Sequence, residues 1–296
     1  MSTLKVGLVG AGPWAHSFHA PMIASGPETE LTAIWARRSE AAADLAAAYN
    51  SRAVANFDEL LEVCDALVFA VPPDVQAEYA PRAAAAGKPL LLEKPIGLSL
   101  AEAEELTEAL DAANAVTQVM FTNRYSRGVQ AFLAEARNRT PMGAIAKYIN
   151  GACLPGGYFA TPWRVEKGAL LDLGPHTLDL LDASLGPIVD ITGKGDPTKW
   201  FVITAEHESG ALSTASLSLT VPTQGEVTGI DLFTKEGDMF IDFVGKDGDP
   251  QAPHNIRAEF AATSAAGVSH ELDIHRALYI QRLLEKAERS ATVLRL

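Results

Sequence analysis

The sequence contains little cysteine, no long apolar run and no excess of positive charge. Its two cysteines, Cys64 and Cys153, lie far apart and match no metal-binding or redox spacing. We therefore interpret each as a lone thiol in a cytoplasmic protein, and we expect no metal. No apolar run approaches the roughly 20 residues that cross a bilayer. The short apolar stretch at residues 6–9 ends in glycines, so we expect neither a signal peptide nor a membrane partner.

The charge balance narrows the possible partners further. The net charge of −13 argues against nucleic acid as a partner, because binding it requires a basic surface. A small anionic ligand needs only a local positive pocket and is not excluded. With 48% hydrophobic and 21% charged residues, the chain can build a proper core. Its 296 residues suggest one large domain or two ordinary ones.

The first 120 or so residues alternate between short β-rich apolar runs and Ala/Glu/Leu-rich helical stretches. The runs lie at residues 5–9, 31–35, 66–71, 89–92 and 116–121. Alternating strands and helices predict βαβ units and a parallel sheet. Helix boundaries are marked by Asn56 and Ser99, each with Glu three residues later, and by Gly87 after a helical run.

The pattern changes after about residue 141. Residues 211–221 alternate between apolar and Ser/Thr positions, and similar short strands are predicted near residues 202–205, 230–233 and 239–243. A run of strands after a βαβ half predicts a mostly antiparallel sheet in a second, α+β domain. The chain closes with a predicted helix at about residues 270–289. We expect one domain over residues 1–122 and another over residues 123–296, with the closing helix able to pack back on the first.

A glycine-rich loop follows the first predicted strand and opens a predicted helix. It has the form G-x-G-x-x-A and contributes Gly10, Gly12, Pro13, Trp14 and Ala15. The first glycine permits a tight turn, the second lets the backbone approach a pyrophosphate, and the small Ala15 lets the helix pack on the strand. The helix N-terminus favours bound phosphate. The loop therefore predicts dinucleotide binding, against the alternative of a merely structural turn.

The end of the second strand indicates which dinucleotide is bound. NAD-binding proteins usually carry an acidic residue there, for the adenine ribose 2′-hydroxyl. This sequence has Arg37 and Arg38 instead, which suit a 2′-phosphate, so we predict NADP(H) in preference to NAD(H). A solvated basic turn is the other interpretation, and the nearby Glu40 keeps NAD(H) as an alternative.

Two further segments carry groups suited to chemistry. Glu93, Lys94 and Pro95 follow a predicted strand, where ligands of open α/β sheets bind. The X–Pro bond at Lys94 is a candidate for the cis form. Asp172 and His176 are four residues apart and would share a helix face. The alternatives are a surface lysine and a satisfied core histidine.

Together, GAGPWA at 10–15, EKP at 93–95 and DLGPH at 172–176 resemble the Gfo/Idh/MocA family, which includes glucose–fructose oxidoreductase and inositol dehydrogenases. Order and rough spacing match over nearly the whole chain. The resemblance implies a Rossmann domain followed by an open-sheet domain, through which members often form dimers or tetramers. It places the family's catalytic lysine on Lys94 and its Asp and His on Asp172 and His176.

The resemblance also implies hydride transfer between NADP(H) and a sugar, polyol or cyclitol-like alcohol or carbonyl. We expect the nicotinamide near Pro72, Pro73, Glu93 and Lys94, with Lys94 and His176 serving the substrate oxygen. Weaker candidates for the substrate wall are Asn123, Arg124, Tyr158, Trp163, Arg164 and Asp179.

The sequence departs from the family pattern in two places. Gln76 stands where many relatives carry histidine, and the glycine run before the DLGPH segment is reduced to Lys167-Gly168. Two alternatives therefore stay open. One is a reductase or dehydrogenase for a non-sugar carbonyl or dihydrodiol. The other is a non-catalytic regulator that senses NADP, against which the intact Lys94, Asp172 and His176 argue.

Overall fold

The computed structural model describes residues 3–244 and 249–291. The chain divides into two compact units. The first comprises Met1–Met120 and Pro253–Leu278, and the second comprises Phe121–Ala252 and Tyr279–Leu296. The sequence pattern predicts one boundary after residue 122, whereas the chain divides after Met120, and residues 253–278 belong to the first unit.

The first unit contains a six-stranded parallel sheet, as the βαβ pattern predicts. The strands are β1 (Leu4–Val9), β2 (Thr29–Trp35), β3 (Arg52–Ala53), β4 (Ala66–Phe69), β5 (Leu90–Leu92) and β6 (Thr117–Val119). Their order is β3-β2-β1-β4-β5-β6, and every pairing is parallel. Strands β4 and β5 are buried along their whole length, which explains their continuous apolar sequences. The two-residue edge strand β3 was not predicted.

The helices of this unit begin and end largely where the sequence signals indicate. A π-helical turn (Ala15–His19) leads into α1 (Ala20–Ala24), and then follow α2 (Ser39–Ala48), α3 (Phe57–Val63), α4 (Pro73–Ala85), α5 (Leu100–Ala112) and α8 (Ala252–Ala266). Asn56 Oδ1 accepts a hydrogen bond from the Glu59 backbone N–H at 2.9 Å, and Ser99 Oγ accepts one from Glu102 at 3.2 Å. Gly87 has a φ of +69° just after α4. The predicted caps are confirmed, whereas α8 and the π-helical turn were missed.

The predicted start of the closing helix, at residue 270, was wrong. Helix α9 spans Ile274–Ser290, and Asp273 Oδ1 accepts hydrogen bonds from the backbone of the two residues that follow Ile274, at 2.9 and 3.0 Å. The preceding segment runs beside β6 instead. His270 donates its backbone N–H to Thr117 at 3.0 Å, and Leu272 accepts one from Val119 at 2.6 Å. These backbone pairings remove residues 270–272 from the helix.

The second unit contains a six-stranded sheet in the order β12-β11-β7-β10-β9-β8. Its strands are β7 (Pro141–Ile149), β8 (Ile188–Gly195), β9 (Phe201–His207), β10 (Leu212–Ser218), β11 (Val227–Thr234) and β12 (Gly237–Ile241). Only the β7–β10 pairing is parallel among these described strands, so the prediction of a mostly antiparallel sheet is confirmed. The alternation around β10 is also confirmed, because Ala211, Ala215 and Leu217 are buried. Strands β7 and β8 were missed.

The helical elements of the second unit are a 3₁₀ turn (Thr122–Tyr125), α6 (Arg127–Ala136) and α7 (Pro162–Leu185). Helix α7 is divided at Gly168, which has a φ of +70°. A Cβ at this glycine would lie 2.2 Å from Thr198 Cα and 2.4 Å from the Pro197 carbonyl oxygen. The close approach of that loop therefore requires glycine here, and the longer part of α7 follows it. Within the described part of the chain, no helix has the length and apolarity to cross a membrane.

Candidate active site

The glycine-rich loop adopts a geometry suited to bound phosphate. Gly10 has a φ of +117°, and a Cβ there would lie 2.4 Å from the Ala70 carbonyl oxygen, so the turn after β1 requires glycine. A Cβ on Gly12 would meet no atom within 4 Å. That position faces open space, which a side chain would fill and a pyrophosphate can occupy. The helical backbone begins at Pro13, and the first N–H groups of a helix have no partner within it, so this helix start can bind a phosphate.

A cavity of about 330 Å³ lies beside this loop in the first unit. Its lining comes from the ends of β1, β2 and β4 and includes Gly10, Gly12, Arg37, Arg38 and Pro72. None of the described residues that line it carries a carboxylate. Both arginines are exposed and form no ion pair within residues 3–244 and 249–291. The cavity therefore offers two available cations at the end of β2.

Other predicted cofactor residues lie outside this lining. Pro13 and Trp14 are half-buried at the helix start, Ala15 is fully buried, and Pro73 begins α4. The buried position of Ala15 matches its expected packing role and leaves no surface for a ligand. Glu93 and Lys94 follow β5, whose carboxyl end points to the same edge of the sheet as those of β1 and β4.

Glu93 is held by an extensive hydrogen-bond network. The fully buried Gln76 amide donates to the Glu93 carbonyl oxygen at 2.9 Å and accepts from its backbone N–H at 2.8 Å. The Glu93 carboxylate receives Trp14 Nε1 at 2.8 Å, lies 2.6 Å from His19 Nε2, and receives the Lys94 backbone N–H at 3.2 Å. The Lys94–Pro95 peptide bond is cis. Neither His19 nor the pairing role of Gln76 was predicted, because their contacts with Glu93 span 74 and 17 positions.

Helix α7 carries the second predicted group of catalytic residues. Asp172 and His176 lie one turn apart after the break at Gly168, and only 6% and 8% of their surfaces are exposed. The Arg164 guanidinium donates from Nε to Asp172 Oδ2 at 3.1 Å and also lies over the Trp163 ring, 4.8 Å from its centre. Arg164 thus compensates the charge of the buried Asp172 carboxylate.

Two residues near this pair were missed by the sequence analysis. The Tyr148 ring lies 6.5 Å from that of His176, and the Tyr148 hydroxyl is close enough to Glu226 to affect the pKa of its carboxyl group. Burial raises the pKa of Glu226, and the charges of Asp172 and Asp242 raise it further. Burial also raises the pKa of the Tyr148 hydroxyl well above its usual value. This part of the second unit therefore combines carboxylates, a phenol and an imidazole in a largely desolvated setting.

The weaker candidates for the substrate wall differ in whether other residues already bind their polar groups. Arg124 Nη1 lies 3.2 Å from both oxygens of Asp179, so these two residues satisfy each other as a buried ion pair. The buried Asn123 Nδ2 has no hydrogen-bond partner among the described residues, so it is a donor open to a ligand. Tyr158 is 64% exposed and lies against Phe159.

The two cysteines remain free thiols. Burial raises the pKa of Cys64 to about 12 and also raises that of Cys153, so neither is an activated nucleophile.

The parallel sheet and the glycine-rich loop of the first unit are those of a dinucleotide-binding protein. Comparison with known proteins identifies the family. Residues 4–121 match the oxidoreductase family with an NAD-binding Rossmann fold, and residues 148–249 match the GFO/IDH/MocA C-terminal domain. The chain belongs to the Gfo/Idh/MocA family. The resemblance drawn from the three sequence motifs is confirmed.

Individual relatives are more distant. The chain is 30% identical to dTDP-3,4-didehydro-2,6-dideoxy-alpha-D-glucose 3-reductase of Streptomyces violaceoruber over 201 residues, which is 64% of this chain and 57% of that protein. It is 27% identical to mouse trans-1,2-dihydrobenzene-1,2-diol dehydrogenase over 235 residues, 74% of this chain and 65% of that protein. The chain spans 52–57% of the length of the first curated relatives that it matches.

Solved structures show the same fold. A myo-inositol dehydrogenase from Corynebacterium glutamicum has a TM-score of 0.85 at 23% identity, and the match covers 98% of this chain and 96% of that chain.

Proposed function

We propose that the protein is an NADP(H)-dependent oxidoreductase that transfers a hydride between the nicotinamide and a secondary alcohol or carbonyl of a sugar, polyol or cyclitol-like substrate. The observation that carries this proposal is the arrangement at the carboxyl edge of the first sheet. A phosphate-binding glycine loop and its cavity lie at the ends of β1, β2 and β4, while Lys94 follows β5 at the same edge.

The preference for NADP(H) rests on the charges of the cavity. Arg37 and Arg38 line it, both are free of ion pairs among the described residues, and Glu40 does not belong to the lining. A ribose 2′-hydroxyl would find no carboxylate among the described lining residues, whereas a 2′-phosphate would find two guanidinium groups with matching geometry.

The proposed mechanism assigns one role to each residue. A bound nicotinamide supplies or accepts the hydride. Lys94 donates a hydrogen bond to the substrate oxygen and stabilises the negative charge that develops there during reduction. His176 exchanges the proton, a task to which an imidazole is suited near neutral pH. Asp172, paired with Arg164, orients the substrate and the imidazole.

The substrate class is inferred from the second unit and from the relatives. Asn123, Asp172 and Glu226 are hydrogen-bonding groups of the kind that hydroxyl-rich substrates require, and one of the reported relatives is named for reduction of a sugar nucleotide. The similarity to the mouse dihydrodiol dehydrogenase supports a second candidate, oxidation of a cyclic dihydrodiol. Its substrates would carry two hydroxyl groups on an otherwise apolar ring.

A nicotinamide absorbance assay tests the proposal. NADPH and NADH are supplied with ketoses, inososes, sugar-nucleotide ketones and simple dicarbonyls, and NADP⁺ and NAD⁺ with aldoses, inositols and a trans-dihydrodiol. Lys94→Ala and His176→Ala are each expected to lower turnover by about 10²–10⁴-fold. The exposed Lys5→Ala serves as a matched control and should leave turnover unchanged.

A loss below about tenfold in either catalytic variant would contradict the assigned role. Turnover of the dihydrodiol alone would favour the second candidate. Binding of NADP(H) without turnover of any compound would favour a non-catalytic regulator that senses NADP over an enzyme.

We also propose that two copies of the chain associate through the sheet of the second unit. Ile145, Leu212, Phe233 and Phe240 are 45–57% exposed, and their strand registers place them on one face. An isologous dimer would bury this face. Ile145→Glu should then convert the dimer, or a tetramer, to a smaller species in sedimentation experiments. A wild-type monomer would contradict the proposal.

The two free thiols lead us to place the protein in the reducing cytoplasm.

A further inference from the structure

The carboxylate of Glu93 is the meeting point of the glycine-loop helix and the segment that carries Lys94. Its Oε1 receives Trp14 Nε1 and contacts His19 Nε2, while its Oε2 receives the backbone N–H of Lys94. His19 is fully buried, and the Glu93 side chain is 12% exposed. Hydrogen bonds to an ionised group in a desolvated site are the stronger kind, so the orientation of this carboxylate is firmly fixed.

The π-helical turn is what allows Trp14 and His19 to reach the same oxygen. The two residues are five positions apart, which on a regular α-helix separates their side chains by about 140°. Here the backbone N–H of Ala20 bonds to the Ala15 carbonyl oxygen, an i→i+5 hydrogen bond that widens the turn. The widened turn brings both side chains to one face, with Phe18 stacked on Trp14 at 4.7 Å between ring centres.

His19 has a second feature that sets it apart from a core histidine. Its Nδ1 is buried and has no hydrogen-bond partner among the described residues, so Glu93 is the only group there that orients the imidazole through a hydrogen bond. If Glu93 moved, the buried imidazole would lose its hydrogen bond to the carboxylate, which is unfavourable for a buried polar group. The contact therefore fixes the His19 ring and adds to the bonds that hold Glu93.

We propose that Trp14 and His19 are positioning residues that hold Lys94 in place through Glu93. This inference rests on the proposed role of Lys94 in the reaction. The π-helical turn at the glycine loop directs both residues to Oε1 of Glu93. The other carboxylate oxygen, Oε2, accepts the backbone N–H of Lys94 and so fixes the backbone there. Loosening the network displaces the lysine amine and leaves the phosphate-binding backbone of Gly10 and Gly12 intact.

The test uses Trp14→Phe and His19→Phe, which keep an aromatic ring and remove one hydrogen bond to Glu93. His16→Phe is the matched control, because His16 lies in the same turn and is exposed. The first readout is the rate at which trace acetic anhydride labels Lys94, measured by mass spectrometry against Lys5 in the same molecule. The second is the dissociation constant for NADP⁺, and the third is turnover with a substrate found in the absorbance assay.

We expect the labelling rate of Lys94 to change by about threefold or more in each test variant, which corresponds to the loss of one hydrogen bond. The affinity for NADP⁺ should stay within about threefold of wild type, and kcat should fall about tenfold to a hundredfold with little change in KM. Glu93→Gln keeps an acceptor for Trp14 and should retain more activity than Glu93→Ala.

Unchanged labelling of Lys94 in both variants would overturn the proposal, even if their melting temperatures fell, since the contacts would then be structural only. Parallel losses of NADP⁺ affinity and kcat would overturn it as well. The labelling needs no turnover, so it is independent of the proposed function. If Lys94→Ala left turnover intact while the labelling rates changed, the role of the lysine in catalysis would fail and its positioning by Glu93 would stand.

Discussion

Replacing Gln76 by methionine tests whether one buried amide holds the segment that carries Lys94. Methionine has nearly the same length and volume, so packing in α4 is preserved. The substitution removes both hydrogen bonds to Glu93, which measure 2.9 and 2.8 Å. Because Glu93 is only 9% exposed, its backbone N–H and C=O lose partners that water can replace only in part.

The expected magnitude follows from the number of groups left unpaired. A buried donor or acceptor without a partner costs about 1–3 kcal/mol. With partial access of water, we expect the free energy of unfolding to fall by about 2–4 kcal/mol for the two groups together. At about 2–4 °C per kcal/mol for a chain of this size, the melting temperature should fall by about 5–15 °C. Gln76→Glu keeps the acceptor but places a carboxylate oxygen against the Glu93 carbonyl oxygen in a fully buried position, so it should lose at least as much stability as Gln76→Met.

Two assays separate a local effect at Glu93 from a loss of stability of the whole protein. Thermal melts measure the stability of the whole protein. Amide hydrogen exchange of peptides covering residues 90–96 reports on the Glu93 N–H directly. The control is Gln130→Met, because Gln130 is exposed on α6 and its replacement should stay within about 0.5 kcal/mol of wild type. If Gln76→Met melted like this control, with no faster exchange at residues 90–96, the reasoning would be refuted.

The remaining predictions concern the second unit. Gly168→Ala places a Cβ 2.2 Å from Thr198 Cα at a positive φ, and it should destabilise by about 3 kcal/mol or more. Gly156→Ala, at a positive φ with open space around it, should lower the free energy of unfolding by only about 1–2 kcal/mol. Equal melting temperatures of the Gly168→Ala and Gly156→Ala variants would contradict this comparison. Because the pKa of Glu226 is raised above 4.5 in the folded protein, wild type loses stability as the pH rises through that raised pKa. Glu226→Gln should therefore melt higher than wild type at pH 8, with the difference shrinking below pH 4.5; a lower melting temperature at pH 8 would disprove this.

Local signals made much of the first unit predictable from sequence. Apolar runs separated by helical stretches define the parallel sheet, and side-chain caps such as Asn56 act within three residues of the helix they begin. Gly10 is predictable for the same reason, since its positive φ belongs to a tight turn next to a strand. In each case, the sequence within about ten residues determines the structure.

The missed features depend on contacts that are distant in sequence. Glu93 meets His19 across 74 residues and Gln76 across 17, and neither polar residue has a local pattern that distinguishes it. Residues 270–272 look helical by periodicity, but backbone hydrogen bonds to β6, across about 150 residues, keep them out of the helix. The interaction of Tyr148 on β7 with Glu226, which lies just before β11, likewise joins residues 78 positions apart and has no local signal.

The measurement that tests the central claim most directly is calorimetric titration of the protein with NADP⁺ and NAD⁺. Contacts from Arg37 and Arg38 to a 2′-phosphate are exposed, so we expect NADP⁺ to bind about tenfold tighter than NAD⁺. The double variant Arg37→Ser/Arg38→Ser should lose this preference, while the exposed control Arg137→Ser keeps it. Equal or tighter binding of NAD⁺ by the wild-type protein, or binding of neither dinucleotide, would contradict the account.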